Sequence, residues 1–552
     1  MMEQHQIFSC FILLTCLVSY IPSGQAEIYS ALFRLKNAFA EEGKALDSTN
    51  EVLKSLAKST LEEAGVRDFE RFVFETTNKH DTGTTQGTEY MEHPVNVYHV
   101  IRRMAQDWPK KLKLIFEVED KSIQKLYQSL SNLTTTANKW PSILDKNGVT
   151  LQLIRIQALY LLDIHELATG TLNGTTTDPL ALDEVFDVAL FAYDRGMFYE
   201  AVLWYEGLVE EILKGGKGKV TLSKAARGLA SSYFRYENYK KPVEVLEEAL
   251  KKEPDDKRLQ VDLDYYRQKL ADKQTDGVEV DKKLEPLDNP NYSHAKKYFA
   301  MCRGDIKKPE SYRKKLKCKY RRTDIPYRPA KMEIVNLDPL VVMFHDVIYD
   351  DEMQLVKRMA KPHMTRSLIR GRTETDGEVS DGRLSDTAWF DDRTRLIARL
   401  SRRVQETTGL STEIHEVATH AENMQVLNYG LGGMYEPHED YFGSEKNQGT
   451  NKYVVGSGDR LATWMFYINE VKVGGATVFP KFEARVPVVK GAAVFWANYF
   501  VNGTADARTT HAGCPVVIGS KWVMNKWIRT RAQINRWRCS KRRYARTPAI
   551  YL

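Results

Sequence analysis

From Ile28 the apolar residues fall at Ile28, Leu32, Leu35, Phe39, Leu46, Leu53 and Leu56, in steps of four and three, with polar Glu42 and Thr49 at two seam positions. This pattern predicts a helical seam of about four heptads, able to pair with another helix or to close as an antiparallel hairpin within the chain. A loop is predicted near Asp81 to Gly87, and a further helix from Asn96 to Trp108 behind Pro94. From 141 to 262 the pattern becomes helix-turn-helix. Leu229, Ala230, Tyr233, Leu246, Ala249 and Pro254 fall at tetratricopeptide spacing, with Pro242 in place of the usual small residue. Val188, Ala189, Ala192, Ala201 and Tyr205 repeat that spacing 41 residues earlier, and Lys214 to Lys219 form the loop between the repeats. Two stacked helical pairs make a groove, rich here in Tyr160, Tyr193, Phe198, Tyr199, Tyr233, Phe234, Tyr236 and Tyr239. Such rings pack as core or stack on an extended Pro-rich peptide.

Residues 263–300 are polar and charged, with Pro286 and Pro290, and read as a linker. Beyond Pro329 the period shortens. Ile334–Phe344, Thr463–Ile468, Thr477–Phe479, Ala493–Trp496, Val516–Ile518 and Trp522–Trp527 read as strands, while Asp351–Ala360 and Asp391–Thr408 read as helices. Short strands at this spacing predict a sandwich or jelly roll with helices on one side. The fold class is therefore α+β and multidomain: a helical, coiled-coil-like N-terminal region, a tetratricopeptide-like domain and a double-stranded β-helix domain. The expected borders are 1–26, a signal peptide; 27–140, a helical dimerisation region; 141–262, the peptide-binding domain; 263–332, a linker with a cysteine pair; 333–535, the catalytic domain; and 536–552, a basic tail.

The leader changes the picture most. Ile7 to Val18 is apolar or small, and Pro22, Gly24 and Ala26 follow, which is the size and order of a signal peptide cleaved after Ala26. No later segment is apolar for long enough to span a bilayer. In that compartment Asn132, Asn173, Asn291 and Asn502 head usable sequons. The net charge of +7 is accounted for by the tail, which from Arg529 onward holds eight Lys or Arg and no acid. A solvated basic tail, not nucleic-acid binding, is the reading. Without the leader's Cys10 and Cys16, Cys302, Cys318, Cys514 and Cys539 remain. Three pairings are open, and short loops favour Cys302–Cys318 and Cys514–Cys539. Zinc is the competing use of four cysteines, but no CxxC pair supports it.

The chemistry concentrates in Tyr435-Glu-Pro-His-Glu-Asp440 and His511. On a strand, residues two apart share a face, so His438 and Asp440 can point together. With His511 they make two imidazoles and a carboxylate, a set that grips one face of Fe(II) and leaves positions for a bidentate co-substrate and dioxygen. The same set could hold zinc in a hydrolase. Lys521 argues against that. It lies ten residues after His511, across Gly519-Ser520. If the adjoining strands pair antiparallel, its amine enters the barrel, where a buried ammonium needs an anion such as the far carboxylate of 2-oxoglutarate.

These residues, with Gln425-Val-Leu-Asn-Tyr-Gly430, Gly474-Gly-Ala-Thr-Val-Phe-Pro480, Lys490-Gly-Ala-Ala-Val-Phe-Trp496 and the run from His511 to Trp522, resemble the catalytic α subunits of the collagen prolyl 4-hydroxylases. Glu92-His-Pro-Val-Asn96, Arg155-Ile-Gln-Ala-Leu-Tyr160 and Cys302-Arg-Gly304 with Cys318 extend the resemblance over nearly all of the chain after the leader. The resemblance implies His438, Asp440 and His511 as iron ligands and Lys521 as the 2-oxoglutarate anchor. It implies 4-hydroxylation of Gly-X-Pro type peptidyl proline in procollagen, with succinate and CO2 as co-products and L-ascorbate keeping the iron reduced. It also implies Arg460 and Trp527 near the substrate, and Tyr160, Tyr193 and Tyr199 in the peptide groove. The implied assembly is a dimer of α subunits, each held in the endoplasmic reticulum lumen by protein disulfide isomerase as β subunit. The sequence finishes Ala549-Ile-Tyr-Leu, without a retention tetrapeptide, in keeping with retention through that partner. Three features depart from the family: Glu439 replaces an aromatic residue and is expected to point away from the metal and disturb packing behind it; Ser231 and Phe234 stand where groove tyrosines are usual; and the tail after Cys539 is basic. Two alternatives stay open: hydroxylation of another secreted Pro-rich protein, and a non-catalytic Pro-rich-peptide binder.

Overall fold

The strands Met424–Tyr429, Arg460–Tyr467 and Lys521–Arg529 carry apolar residues on both faces, so both faces must be covered, and the computed structural model shows by what. It describes residues 31–541 except 137–139, 286–294, 325–326, 371–376, 379–381, 415–418, 444–453 and 455. The proposed leader, Asn291 and residues 542–552 lie outside the described residues.

Strands β1 (Cys318–Arg321), β2 (Ala330–Leu337), β3 (Leu340–His345), β4 (Thr365–Arg366), β5 (Asp386–Phe390), β6 (Met424–Tyr429), β7 (Tyr435–His438), β8 (Arg460–Tyr467), β9 (Thr477–Phe479), β10 (Ala484–Val486), β11 (Ala493–Ala497), β12 (His511–Gly513) and β13 (Lys521–Arg529) form two antiparallel sheets. The large sheet runs β1-β2-β3-β11-β8-β13-β6-β5-β4, and the small one β7-β12-β9-β10. Between them lie Met343, Leu427, Met465, Phe479, Val486, Trp496 and Val523. The outer face of the large sheet, with Phe344, Val426, Trp464, Phe466 and Met524, is covered by two helices, Asp350–Ala360 and Arg395–Thr408, through Met353, Val356, Ile397, Leu400 and Val404. Strand β13, central and covered on both faces, is therefore buried at every position but Asn525. Ile334–Phe344, expected as one strand, is the hairpin β2–β3, turning at Asp338-Pro339, where Pro339 has no N–H for a ladder.

At the other end, α1 (Leu32–Ser55) packs on α2 (Ala64–Gln86) in one core containing Leu35, Phe39, Leu46, Val66, Phe69 and Val73. The seam of α1 is thus filled within the chain. Its polar positions have local uses. Glu42, fully buried, accepts from Arg103 Nε at 2.8 Å, Arg103 Nη2 at 2.6 Å and Trp108 Nε1 at 3.0 Å. Thr49 Oγ1 donates to Ala45 O at 2.6 Å. Replacing Glu42 with alanine strands the Arg103 guanidinium in this core, and an expected loss of about 3–5 kcal/mol would register as a lower denaturation midpoint.

The loop expected at 81–87 is helix up to Gln86, ended by Gly87 at φ +63°. The hydroxyls of Thr82, Thr84 and Thr85 each bond the carbonyl four residues back, and His80 stacks on Phe39 at 4.0 Å, so packing on α1 overrides a weak local preference.

Next come α3 (Pro94–Arg102) and α4 (Ile143–Tyr160), then the helical pairs α5 (Leu182–Asp194) with α6 (Phe198–Leu213) and α7 (Leu222–Arg235) with α8 (Lys241–Lys252). Residues 263–275, expected as linker, continue α9 (Lys257–Thr275), whose Leu259 and Leu263 close the core of the last pair. No breaker interrupts it before Gly277. None of the described helices is long and apolar enough to cross a membrane.

The cysteine pairing differs from expectation. Cys302 is bonded to Cys514, while Cys318 and Cys539 are free and exposed. Cys302 sits on α10 (Ala295–Arg303), whose buried face shares a cluster with Leu159, Ala476, Val478, Ala512 and Cys514, whereas Cys318 lies on the outer strand of the large sheet. Docking of α10 overrides the short-loop preference.

Candidate metal centre

Strand β7 pairs antiparallel with β12 so that His438 lies opposite His511, with ring centres 4.3 Å apart. Asp440 follows two residues after His438, at the edge of the same cavity. The ligand-capable atoms of the three side chains all lie within 4.8 Å of one another. His438 Nε2 is 3.8 Å from Asp440 Oδ1, and His511 Nε2 is 3.7 Å from Asp440 Oδ2. Each imidazole turns its other nitrogen to a backbone carbonyl: His438 Nδ1 to Glu436 O at 2.8 Å, and His511 Nδ1 to Thr509 O at 3.1 Å. That tautomer leaves both Nε2 lone pairs facing inward, the arrangement a metal ligand requires. Thr463 Oγ1 donates to Asp440 Oδ2 at 2.6 Å and holds the carboxylate.

Burial, reinforced by His511, lowers the His438 pKa to about 3, so this imidazole is neutral. Burial alone would raise Asp440, but His511, His438 and Arg460 outweigh it and hold the carboxyl at about 2. The donor set is two imidazole nitrogens and one carboxylate oxygen, and it fits a divalent ion of intermediate softness.

Lys521 opens β13 opposite Tyr429. The expected pairing of its strand with that of His511 is not found: β12 belongs to the small sheet and β13 to the large one. The connecting strand Val516–Ile518 instead pairs with Val473 and Gly474. His511 and Lys521 therefore line the cavity from opposing sheets. The Lys521 side chain is buried, its Nζ 3.3 Å from Thr477 Oγ1, with the Tyr429 and Tyr467 rings each 5.6 Å away. No carboxylate pairs with it among the described residues, and burial lowers its pKa to about 7. An amine held in this way, in a cavity of about 500 Å³ that also contains the three ligands, is a receptor for an anion.

Arg460 and Trp527 line the same cavity, with the guanidinium 3.6 Å above the indole. Arg460 is also tied to Glu422 at 2.6 and 2.8 Å and to Asp440 O at 3.2 Å. Glu439 is exposed at the rim and accepts from Thr510 Oγ1 at 2.8 Å. Its charge is solvated and does not disturb packing behind the site, contrary to expectation.

The residues expected in the peptide groove do not assemble as one set. Tyr193 meets Ser231 Oγ at 2.8 Å, and Tyr199 lies 6.3 Å from Tyr236. Tyr160 is elsewhere: its hydroxyl donates to Pro515 O at 2.7 Å, because the C-terminal end of α4 packs on the oxygenase domain. Tyr265 and Tyr266 of α9, missed because they fall in the presumed linker, gather on Phe234 instead, at 6.3 and 5.4 Å. Glu422, Thr463 and Thr477 were also missed. For Thr463 and Thr477 a signal existed, since each is a small hydroxyl residue within a largely apolar, buried strand.

Three families match successive parts of the chain: "Prolyl 4-Hydroxylase alpha-subunit, N-terminal region" over 40–174, "Prolyl 4-hydroxylase peptide-substrate-binding domain" over 182–272, and "2OG-Fe(II) oxygenase superfamily" over 424–529. Prolyl 4-hydroxylase subunit alpha-1 of Mus musculus is 32% identical over 475 residues, covering 83% of this chain and 86% of that protein. The chain belongs to the prolyl 4-hydroxylase α-subunit family. A second member, prolyl 4-hydroxylase subunit alpha-3 of Bos taurus, is 31% identical over 548 residues, 94% of this chain and 95% of the relative. Among solved structures, a viral collagen prolyl hydroxylase from Paramecium Bursaria Chlorella virus-1 in complex with 2OG covers 34% of this chain and 96% of its own, at 24% identity and a TM-score of 0.27. As a family member, the chain carries a 2-oxoglutarate- and Fe(II)-dependent oxygenase domain behind its helical regions.

Proposed function

We propose that this α-subunit hydroxylates peptidyl proline at C4 in Gly-X-Pro type chains such as procollagen. One observation carries the reading: two Nε2 atoms and a carboxylate converge in the cavity that also buries an unpaired lysine. His438, Asp440 and His511 would hold Fe(II), and Lys521, with Thr477, the far carboxylate of 2-oxoglutarate. Bound iron, 2-oxoglutarate and dioxygen supply the oxidising power, and succinate and CO2 leave. Thr463 keeps Asp440 turned inward, while the Tyr435 ring, stacked 3.5 Å from His438, and Trp496, 4.7 Å from His511, shield the imidazoles from water. Trp527 Nε1 is buried without a hydrogen-bond partner among the described residues, which suits a donor to a peptide carbonyl at the mouth beside Arg460. Tyr193 and Tyr199 remain candidates for holding the peptide farther away.

With this reading go L-ascorbate as reductant, protein disulfide isomerase as β subunit, the endoplasmic reticulum lumen as location and use of the sequons. Asn132 and Asn173 are exposed, which supports that use. An α-subunit dimer is also proposed, through a surface other than the buried seam of α1. The proposed domain borders follow those expected from the sequence, with α4 moved to the N-terminal region, whose core it shares, and the peptide-binding domain extended to the end of α9 at Thr275.

The protein assembled with disulfide isomerase should release succinate from 2-oxoglutarate faster when a (Pro-Pro-Gly)-type peptide is added, and mass spectrometry should find one added oxygen per modified proline. Peptide binding without stimulated succinate release would point to the non-catalytic binder instead.

A further inference from the structure

Strand β12 is short, and His511 is its first residue. Three residues of ladder cannot fix an imidazole alone, so what holds the chain just beyond them matters. Tyr298 Oη donates to Gly513 O at 3.0 Å, and Tyr160 Oη donates to Pro515 O at 2.7 Å. Between these carbonyls, Cys514 N donates to Ala476 O at 2.8 Å, and its sulfur is bonded to Cys302. Arg303 Nη1 donates to Leu159 O at 2.8 Å, tying α10 to the end of α4. Both phenols come from the helical part of the chain. Burial keeps both protonated, hence donors.

The same helix reaches the other metal-bearing strand. Gln152 of α4 presses on Gly432, where an added Cβ would lie 2.7 Å from Gln152 Cβ, and Gly432 belongs to the turn that feeds β7 and His438. Leu431, Val517 and Ile518 of the oxygenase domain join the core that runs through α1 to α7.

We propose that Tyr160 and Tyr298 are positioning residues for the metal centre, fixing the His511 imidazole through the two carbonyls they hold. The proposal rests on the reading of His438, Asp440 and His511 as a metal site. It makes the helical region part of the oxygenase machinery: the metal geometry is set across the contact between them.

The test uses the full chain assembled with its partner, stripped of metal and titrated with Co(II), whose visible absorption reports its ligands. The Tyr160→Phe/Tyr298→Phe variant keeps both rings and loses only the hydroxyls. Its Co(II) dissociation constant should rise about tenfold, as for other groups that orient metal ligands, with an altered Co(II) spectrum. A purely structural role predicts a lower thermal midpoint with the dissociation constant and spectrum unchanged, and that result overturns the proposal. If the double variant does not fold, Tyr298→Phe alone is read, with about a threefold rise expected and no rise overturning it. If the wild-type protein binds no Co(II), the metal-site reading falls and the proposal with it, a failure distinct from that of the tyrosines alone.

Discussion

Replacing His511 with alanine is expected to leave the purified protein without stoichiometric Fe(II) and to lower peptide-dependent succinate release by about 10³-fold or more. Groups that merely orient metal ligands are worth about 10–100-fold, and a ligand itself should exceed that range. The imidazole is 6% exposed and packs at 4.7 Å from Trp496, so its removal opens a dry space that no neighbouring nitrogen or oxygen fills. His438 and Asp440 then supply two ligands, too few to retain the ion against water. The backbone around position 511 should persist, since Gly513, Cys514 and Pro515 are held by Tyr298, Ala476 and Tyr160. The variant should therefore fold, with an unchanged far-ultraviolet spectrum and lost metal. Metal analysis of wild type and variant decides it: retention of one Fe(II) per chain by the variant would remove His511 from the site.

The grouping of His438, Asp440 and His511 was legible in part because the first two are close in sequence, although β7 ends at His438 and Asp440 lies just beyond it. His438 and Asp440 are two apart, and the residues after them in the chain cannot change that spacing. The strands Thr477–Phe479 and Val516–Ile518 were likewise found at their ends. What was not legible depended on docking between distant segments. Lys521 was expected inside the barrel for a pairing of adjoining strands that does not occur; it arrives there from the opposite sheet, beside Tyr429. Tyr160 has the composition of a groove residue, but the partner of its hydroxyl is Pro515, 355 residues away. Cys302 and Cys514 are 212 residues apart, a separation that short-loop reasoning disfavours. The α1 seam reads equally as a contact with another chain or with its own, and the packing of α1 on α2, with the Glu42–Arg103 pair, decides between them.

Lys521 gives the second large effect, with opposite signs for stability and for function. Burial lowers its pKa from 10.5 to about 7, a difference equivalent to about 5 kcal/mol. Because the folded value is the lower one, the unfolded chain binds more protons between about pH 7 and 10.5. Stability contributed at this site therefore rises with pH across that window, and the penalty is fully present below pH 7. Lys521→Met keeps the volume and removes the charge. At pH 6 to 7 the metal-free variant should be more stable by about 1–4 kcal/mol, the gain fading towards pH 10.5, as read from denaturation midpoints. The same change should weaken 2-oxoglutarate by about 10²–10⁴-fold, since a buried anion left without its partner forfeits about 3–5 kcal/mol. The bound carboxylate should also pull the amine back to its charged form. At pH 7.5 roughly three-quarters of Lys521 is neutral if its pKa is about 7. Calorimetric titration in buffers of different ionisation enthalpy should then show uptake of nearly that fraction of a proton per 2-oxoglutarate bound. A variant that binds 2-oxoglutarate as tightly as wild type, with no proton taken up by either, would show that the anion is anchored elsewhere.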